Sequence, residues 1–117
     1  MSAGYYDIEI EQGADFTLAV HYTDSAGTTI DLSTYVSSSM QIRESTESTS
    51  SLIDLTTSNG RIALAQGDPN ITLTLSATET ASLDFDHAKY DLEVVSSGNE
   101  VSKILRGNVK LIREVTK

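Results

Sequence analysis

The side chains best suited to metal or acid–base chemistry lie in the short stretch DFDH. It places Asp84, Asp86 and His87 close together, so two carboxylates and an imidazole could ligate a cation. An EF-hand calcium loop needs further oxygen ligands and a glycine at fixed offsets, and a zinc site needs three or four good ligands. We interpret DFDH as an acidic turn before a strand and expect no metal or other cofactor. Weak calcium binding at Asp84 and Asp86 stays open as the alternative.

A second group of carboxylates recurs at every other position near the beginning of the sequence. Asp7, Glu9 and Glu11 would share one face of a strand, because strand side chains alternate between two faces. Hydrolysis of a glycoside would instead need two carboxylates facing each other across a cleft, about 5–9.5 Å apart. His21 has no second histidine or cysteine at ligand spacing, and no G-x-S-x-G motif is present. We expect a surface histidine, no catalytic residues and a protein that is not an enzyme.

The composition limits the classes of partner. The 117 residues fit one domain, which we expect to span 1–117. A net charge of −9 would repel nucleic-acid phosphates and anionic membranes, so neither is an expected partner. The lack of cysteine excludes disulfides and thiolate zinc sites. Neither a signal-peptide pattern nor an apolar run of about 18 residues is visible, so we expect a soluble chain without an export signal.

Apolar residues recur with period two through most of the chain, which is the spacing of half-buried strands. The clearest examples are FTLAVHYT and YDLEVV, and the further predicted strands are YYDIEIEQ, VSSSMQIR, ITLTLS, Leu52 to Leu55 and Arg61 to Ala65. Turn-forming residues separate them, which favours an all-β sandwich or barrel. In SATETASL, Ser76 and Glu79 have the spacing of a capping box, which predicts one short helical turn near Ala77–Ser82.

The last segment is both basic and apolar. Five basic and two acidic residues follow Asn99, so it carries +3 in a chain of −9. Adjacent apolar pairs break the alternation, so one residue of each pair must point outward or a bulge must rotate the strand, for which Gly107 is suited. We predict a subunit interface with an acidic counterpart, formed by Ile104, Leu105, Arg106, Leu111, Ile112 and Arg113 opposite Asp7, Glu9 and Glu11. The acidic strand could belong to the same chain or to a neighbouring subunit, and the residues leave both arrangements open.

Four segments together resemble a known group of proteins: EQGADF, IDLSTY, SATETASL and the ending that runs from YDLEV to EVT. This combination resembles small virion proteins of tailed bacteriophages and prophages, and it is similar in style to the N-terminal module of upper baseplate proteins. The resemblance implies an antiparallel immunoglobulin-like β-sandwich of about 7–9 strands. It also implies a tail, baseplate or neck protein that forms homo-oligomers, binds other phage structural proteins and assembles in the host cytoplasm.

The alternative from another class is a carbohydrate-binding or host-adhesion module. Sugar sites usually stack a ring on an exposed aromatic side chain beside polar groups. The sequence has no tryptophan, five tyrosines and two phenylalanines, and several of these fall on predicted core faces. The aromatic content therefore favours the virion hypothesis over this alternative.

Overall fold

The computed structural model describes residues 4–45, 47–67 and 69–115. These residues form nine strands and one short helix, which confirms the all-β prediction. The elements are β1 (Gly4–Tyr5), β2 (Ile8–Glu11), β3 (Phe16–Val20), β4 (Ser37–Arg43), β5 (Ile53–Thr56), β6 (Ile62–Leu64), β7 (Ile71–Leu75), α1 (Ala77–Ala81), β8 (His87–Val95) and β9 (Val101–Ile112). Each segment with period-two alternation contains a strand, and the predicted helical turn is α1.

The strands form two sheets. The larger sheet has the order β1-β9-β8-β4-β5, with β2 also paired to β9, and the smaller sheet has the order β3-β7-β6. All described pairings among β3 to β9 are antiparallel, whereas β1 and β2 run parallel to β9. A parallel pair needs a long connection, and here most of the chain lies between the two partners. Complementary charge predicted an acidic strand beside the basic one, but alternation does not reveal strand direction, so the parallel orientation was not predicted.

The inward residues of both sheets form one apolar core, as period-two alternation requires. In β7, Ile71, Leu73 and Leu75 are at most 1% exposed, whereas the intervening Thr72 is half-buried and Thr74 is exposed. β2 follows the same rule, with Ile8 and Ile10 buried between exposed glutamates. Helix α1 adds no large apolar face to this core, because Thr80 is its buried residue.

The terminal hairpin of β8 and β9 contains the irregularity that the doubled apolar pairs predicted. Leu92 pairs with Leu105 and Glu93 pairs with Lys103, so Ile104 is the extra residue of a bulge. The expectation that Gly107 forms the bulge was wrong, since Gly107 lies in regular register with Tyr90. The bulge lets both Ile104 and Leu105 turn toward the core.

Helix α1 fastens the turn that joins β2 to β3. Ser76 and Glu79 form the predicted capping box. The Thr80 hydroxyl donates to the carbonyl oxygen of Ala14 at 2.8 Å and accepts from the backbone N–H of Gly13 at 3.0 Å. The backbone N–H of Ala77 also donates to the Asp15 carboxylate at 2.8 Å. Because these bonds fix the turn, they set the position of β3 relative to β2.

A fully buried asparagine organises the loop that follows β3. The side chain of Asn70 accepts from the Tyr22 N–H at 2.9 Å and donates to the carbonyl oxygens of Tyr22 and Ile30, both at 2.8 Å. Both N–H groups of the side-chain amide are thereby used, and its oxygen accepts one hydrogen bond with one of its two lone pairs. A buried polar group with this many partners is a structural element of the core.

Candidate functional site

The acidic turn at 84–86 forms ion pairs with Arg113, which follows β9. The guanidinium of Arg113 lies 3.0 Å from the Asp84 carboxylate and 3.3 Å from that of Asp86. The hydrogen bond to Asp84, and to a smaller extent the one to Asp86, raises the pKa of Arg113. His87 begins β8 and its side chain is exposed. Among the described residues no three histidines or carboxylates are grouped around a common point where a cation could bind.

The acidic residues near the beginning of the chain lie beside β9 of the same chain. Glu9 is the register neighbour of Lys110 in the parallel pair of β2 and β9. The Asp7 carboxylate accepts a hydrogen bond from the backbone N–H of Asn108 at 3.0 Å. Glu9 and Glu11 are exposed on the outer face of the larger sheet. The acidic strand that lies next to the basic strand therefore belongs to the same protomer.

The four apolar residues of the predicted interface have two different environments. Ile104 and Leu111 are core residues, 7% and 4% exposed. Leu105 and Ile112 are half-buried, and Leu105 packs against the core. The surface of one protomer therefore presents only parts of Leu105 and Ile112, because the bulge at Ile104 turns the first apolar pair inward.

The basic residues of β9 also differ in their surroundings. The ammonium group of Lys103 lies 2.8 Å from the Glu93 carboxylate and 3.3 Å from that of Asp91. The hydrogen bond to Glu93, and to a smaller extent the one to Asp91, raises the pKa of Lys103. Arg106 and Lys110 project from the outer face beside β1 and β2, and both are exposed. The sequence indicated only a basic last segment, and the structure shows that Lys103 and Arg113 form ion pairs within the protomer whereas Arg106 and Lys110 are exposed.

Two exposed tyrosines lie at the edge of the larger sheet. Tyr5 is 66% exposed and Tyr6 is 50% exposed, and Tyr5 is the register neighbour of Arg106. The side-chain amide of Asn108 donates to the Tyr5 hydroxyl at 3.0 Å, which holds the phenol over the outer face. Sequence reasoning did not single out this pair, because alternation in YYDIEIEQ predicted that Tyr6 would face the core.

The chain matches no protein-family model, and no curated protein matches it.

One open part of the core lies between β2 of the larger sheet and β3 of the smaller one. A groove of about 280 Å³ runs there between the two strands. Phe16 and Leu18 face inward, because their register partners Leu75 and Leu73 are 1% and 0% exposed, yet both are only partly buried. The residues that line this groove, here called the β2–β3 seam, are Tyr6, Ile8, Glu9, Glu11, Asp15, Phe16, Thr17 and Leu18.

The seam combines apolar and acidic surface. Phe16 and Leu18 supply its apolar floor, and Glu9 and Glu11 stand on the rim formed by β2. The sequence predicted Phe16 and Leu18 as ordinary core residues, and no local signal distinguishes a covered inward face from an uncovered one.

In the described part of the chain no helix is long and apolar enough to cross a membrane.

Proposed function

We propose that this chain is a structural component of a bacteriophage virion, at the tail, baseplate or neck, and that it acts by binding other subunits. The observation that carries the proposal is the edge of the larger sheet at β1 and β2. Tyr5 and Tyr6 are exposed there, at 66% and 50%, beside the exposed Arg106. Tyrosine and arginine are the residue types enriched at the centres of protein interfaces.

The charges on the same edge support association between subunits. Glu9 on β2 adjoins Lys110 on β9, and Glu11 and Arg106 are also exposed on the outer face of the same sheet, so this face carries both acidic and basic groups. Complementary charges of this kind fix the register and orientation of two contacting surfaces. In a symmetric particle a modest contact is repeated many times, so each interface can be small. The resemblance of the EQGADF, IDLSTY and SATETASL segments to phage virion proteins points in the same direction.

The first experiment measures self-association. Light scattering and native mass spectrometry on the purified chain should show oligomers whose fraction rises with protein concentration. The double variant Tyr5→Ser with Arg106→Glu should shift the distribution to monomer. Val36→Ser is the matched control, because Val36 is also strongly exposed, at 60%, but lies in the segment that leads into β4.

A second experiment tests the virion assignment itself. A tagged copy of the chain, produced in a host infected with a tailed phage that encodes it, should co-purify with assembled particles and be visible at a fixed position in an electron-microscopy map. Particles that lack the chain, together with a wild-type protein that stays monomeric at every concentration, would overturn the proposal.

The alternative function is a carbohydrate-binding or host-adhesion module, and Tyr5 is the observation that favours it. An exposed phenol held by the Asn108 amide beside Arg106 and Asp91 provides a stacking surface next to hydrogen-bonding groups. A glycan array distinguishes the two functions. Glycan binding by a wild-type chain that stays monomeric, lost in Tyr5→Ala, would favour the adhesion module.

A further inference from the structure

We propose that the free edge of β2 binds an extended segment of a partner protein, in which apolar and basic residues alternate, and adds it to the larger sheet as a further strand. The inference deepens the proposed function and rests on it, because it names the chemistry of a partner of the same edge. Contacts through Tyr5 and Arg106 could assemble subunits even if no strand is added. A result that refutes strand addition at β2 therefore leaves the proposed assembly of subunits intact.

The hydrogen bonds of the residues that flank β2 show which of its backbone groups face away from β9. The N–H of Tyr6 donates to the Arg106 carbonyl oxygen and the N–H of Gln12 donates to that of Ile112, both at 2.9 Å. Residues at even positions of this strand therefore direct their backbone groups toward β9. Neighbouring strand residues direct theirs to opposite sides, so the N–H and C=O of Glu9 point away from β9 into the seam. In the described residues no strand pairs with β2 on that side, and the turn to β3 uses one group there, because the Ala14 N–H donates to the Glu11 carbonyl oxygen at 3.2 Å.

The opposite wall of the seam is also an unpaired edge. The N–H of Thr74 donates to the Arg61 carbonyl oxygen at 2.9 Å, which turns Thr74 toward β6 and away from β3. Its register partner Thr17 therefore directs its backbone groups away from β7, toward the seam. Two unpaired edges and an apolar floor in one groove form a template for strand addition.

The side chains around the seam specify the sequence pattern of the added strand. Its inward side chains would cover Phe16 and Leu18, which face the core but are only partly buried. Its outward side chains would become cross-strand neighbours of Glu9 and Glu11, at about 4.5–5.5 Å between Cβ atoms. Apolar residues fit the first set and lysine or arginine fits the second. The pattern is therefore apolar and basic in strict alternation.

The same charges exclude the simplest alternative occupant, a second copy of β2. Edge-to-edge pairing of two β2 strands would place Glu9 and Glu11 of one copy opposite the same acidic residues of the other. Like charges in direct cross-strand positions destabilise a pair, and charged residues on edge strands prevent this kind of self-pairing. A basic segment gains from the same glutamates, so the occupant differs in charge from β2.

The test uses a short synthetic peptide of alternating lysine and valine as the probe, with affinity measured by calorimetry. The control peptide has the same sequence but carries N-methyl groups on alternate backbone nitrogens, so it keeps its charge and loses its strand donors. We expect the methylated peptide to bind at least about tenfold more weakly, since it loses backbone hydrogen bonds worth about 0.5–1.5 kcal/mol each. Equal affinity for both peptides would show non-specific charge attraction and overturn the proposal.

Two variants of Glu9 separate charge from backbone pairing. Glu9→Ala removes the carboxylate and keeps the N–H, whereas Glu9→Pro removes both and leaves the ladder to β9 intact, because that N–H faces the seam. We expect Glu9→Pro to bind the probe about tenfold more weakly than Glu9→Ala. Circular dichroism and thermal melting check that both variants are folded.

A charge reversal tests the same site without proline. The pair Glu9→Lys and Glu11→Lys should lose the lysine–valine peptide and gain binding of a glutamate–valine peptide. The matched control pair is Glu47→Lys and Glu100→Lys, since these exposed glutamates lie outside the seam and give the same change in net charge. A control pair that behaves like the seam pair would also overturn the proposal.

Discussion

The hydroxyl of Tyr90 donates a hydrogen bond to the backbone carbonyl oxygen of Tyr6 at 2.6 Å, across 84 positions of sequence. Tyr6 lies between β1 and β2, where the ladder to β9 is interrupted. Because the Tyr6 carbonyl faces Tyr90, the N–H of Asn108 bonds instead to the Asp7 carboxylate at 3.0 Å. Burial raises the pKa of the Tyr90 hydroxyl, and the negative charge of Asp7 adds to the effect. The phenol therefore stays a proton donor at neutral pH.

The Tyr90 hydroxyl should hold the first strand of the chain in place. Tyr90→Phe leaves the Tyr6 carbonyl oxygen without its described donor and should lower the free energy of unfolding by about 1 kcal/mol. Urea denaturation measures this change, and amide exchange should quicken locally in residues 4–11. Tyr35→Phe, on another tyrosine that packs against the core, is the matched control. Unchanged exchange in 4–11 would contradict the prediction.

Gly107 should be required for the same contact. A Cβ atom at this position would lie 2.2 Å from the Tyr6 carbonyl oxygen, which is far inside van der Waals contact with a backbone atom. Gly107→Ala should therefore push Tyr6 away from β9 and cost about 1–3 kcal/mol in the free energy of unfolding. Gly67→Ala is the control, because a Cβ atom there would have no neighbour within 4 Å. The control should change stability by less than about 0.5 kcal/mol.

The sequence predicted the elements of this fold better than their arrangement. Alternation located the strands because one face of each must be buried, and Ser76 with Glu79 located α1 because the capping box is a local device. Opposite charges indicated that the acidic strand could lie beside the basic one, but the parallel direction of β2 against β9, which joins residues about one hundred positions apart, is encoded by no local pattern. The contact of Tyr90 with Tyr6 depends on that pairing, so the sequence could not predict it for the same reason.

The candidate site could be predicted only in part. Adjacent apolar residues correctly indicated an irregularity near Ile104, but the side on which each residue lies depends on the position of the bulge. The acidic character of β2 was visible in Glu9 and Glu11. The uncovered floor of the seam was not, because Phe16 and Leu18 have the same alternation as fully buried residues. Exposure at a sheet edge is a property of the tertiary arrangement.

Asn70 should be among the residues that contribute most to stability. It is 0% exposed, and Asn70→Ala would leave the N–H of Tyr22 and the carbonyl oxygens of Tyr22 and Ile30 without a side-chain partner. We expect a loss of about 2–4 kcal/mol in the free energy of unfolding, measured by urea denaturation. Gln66→Ala, at an exposed position of the same loop, should be nearly neutral. A similar effect of both changes would contradict this role.

Asn70→Asp should be destabilising in a pH-dependent way. An ionised carboxylate cannot donate to the two carbonyl oxygens that the Asn70 amide contacts, and burial disfavours its charge. Both effects raise the pKa of the introduced carboxyl in the folded state above its unfolded value. The protonated form is then favoured by folding, so the variant should gain stability relative to wild type as the pH falls. A stability difference that is constant between about pH 7 and pH 4 would contradict this expectation.

The capping box should make wild-type stability fall in acid. The Glu79 carboxylate accepts a hydrogen bond from the Ser76 N–H at 2.8 Å and forms an ion pair with Arg61. The bond to Ser76, and to a smaller extent the contact with Arg61, lowers the pKa of Glu79 below its usual value. A carboxyl with a lowered folded-state pKa stabilises the fold above its unfolded pKa, and this contribution is lost as the pH falls through the folded value. Glu79→Gln keeps an oxygen for Ser76 but does not titrate. The urea midpoint of wild type should therefore exceed that of Glu79→Gln at neutral pH, and the difference should shrink below about pH 4.5. Glu47→Gln, at an exposed position, should give a midpoint close to wild type across the same range.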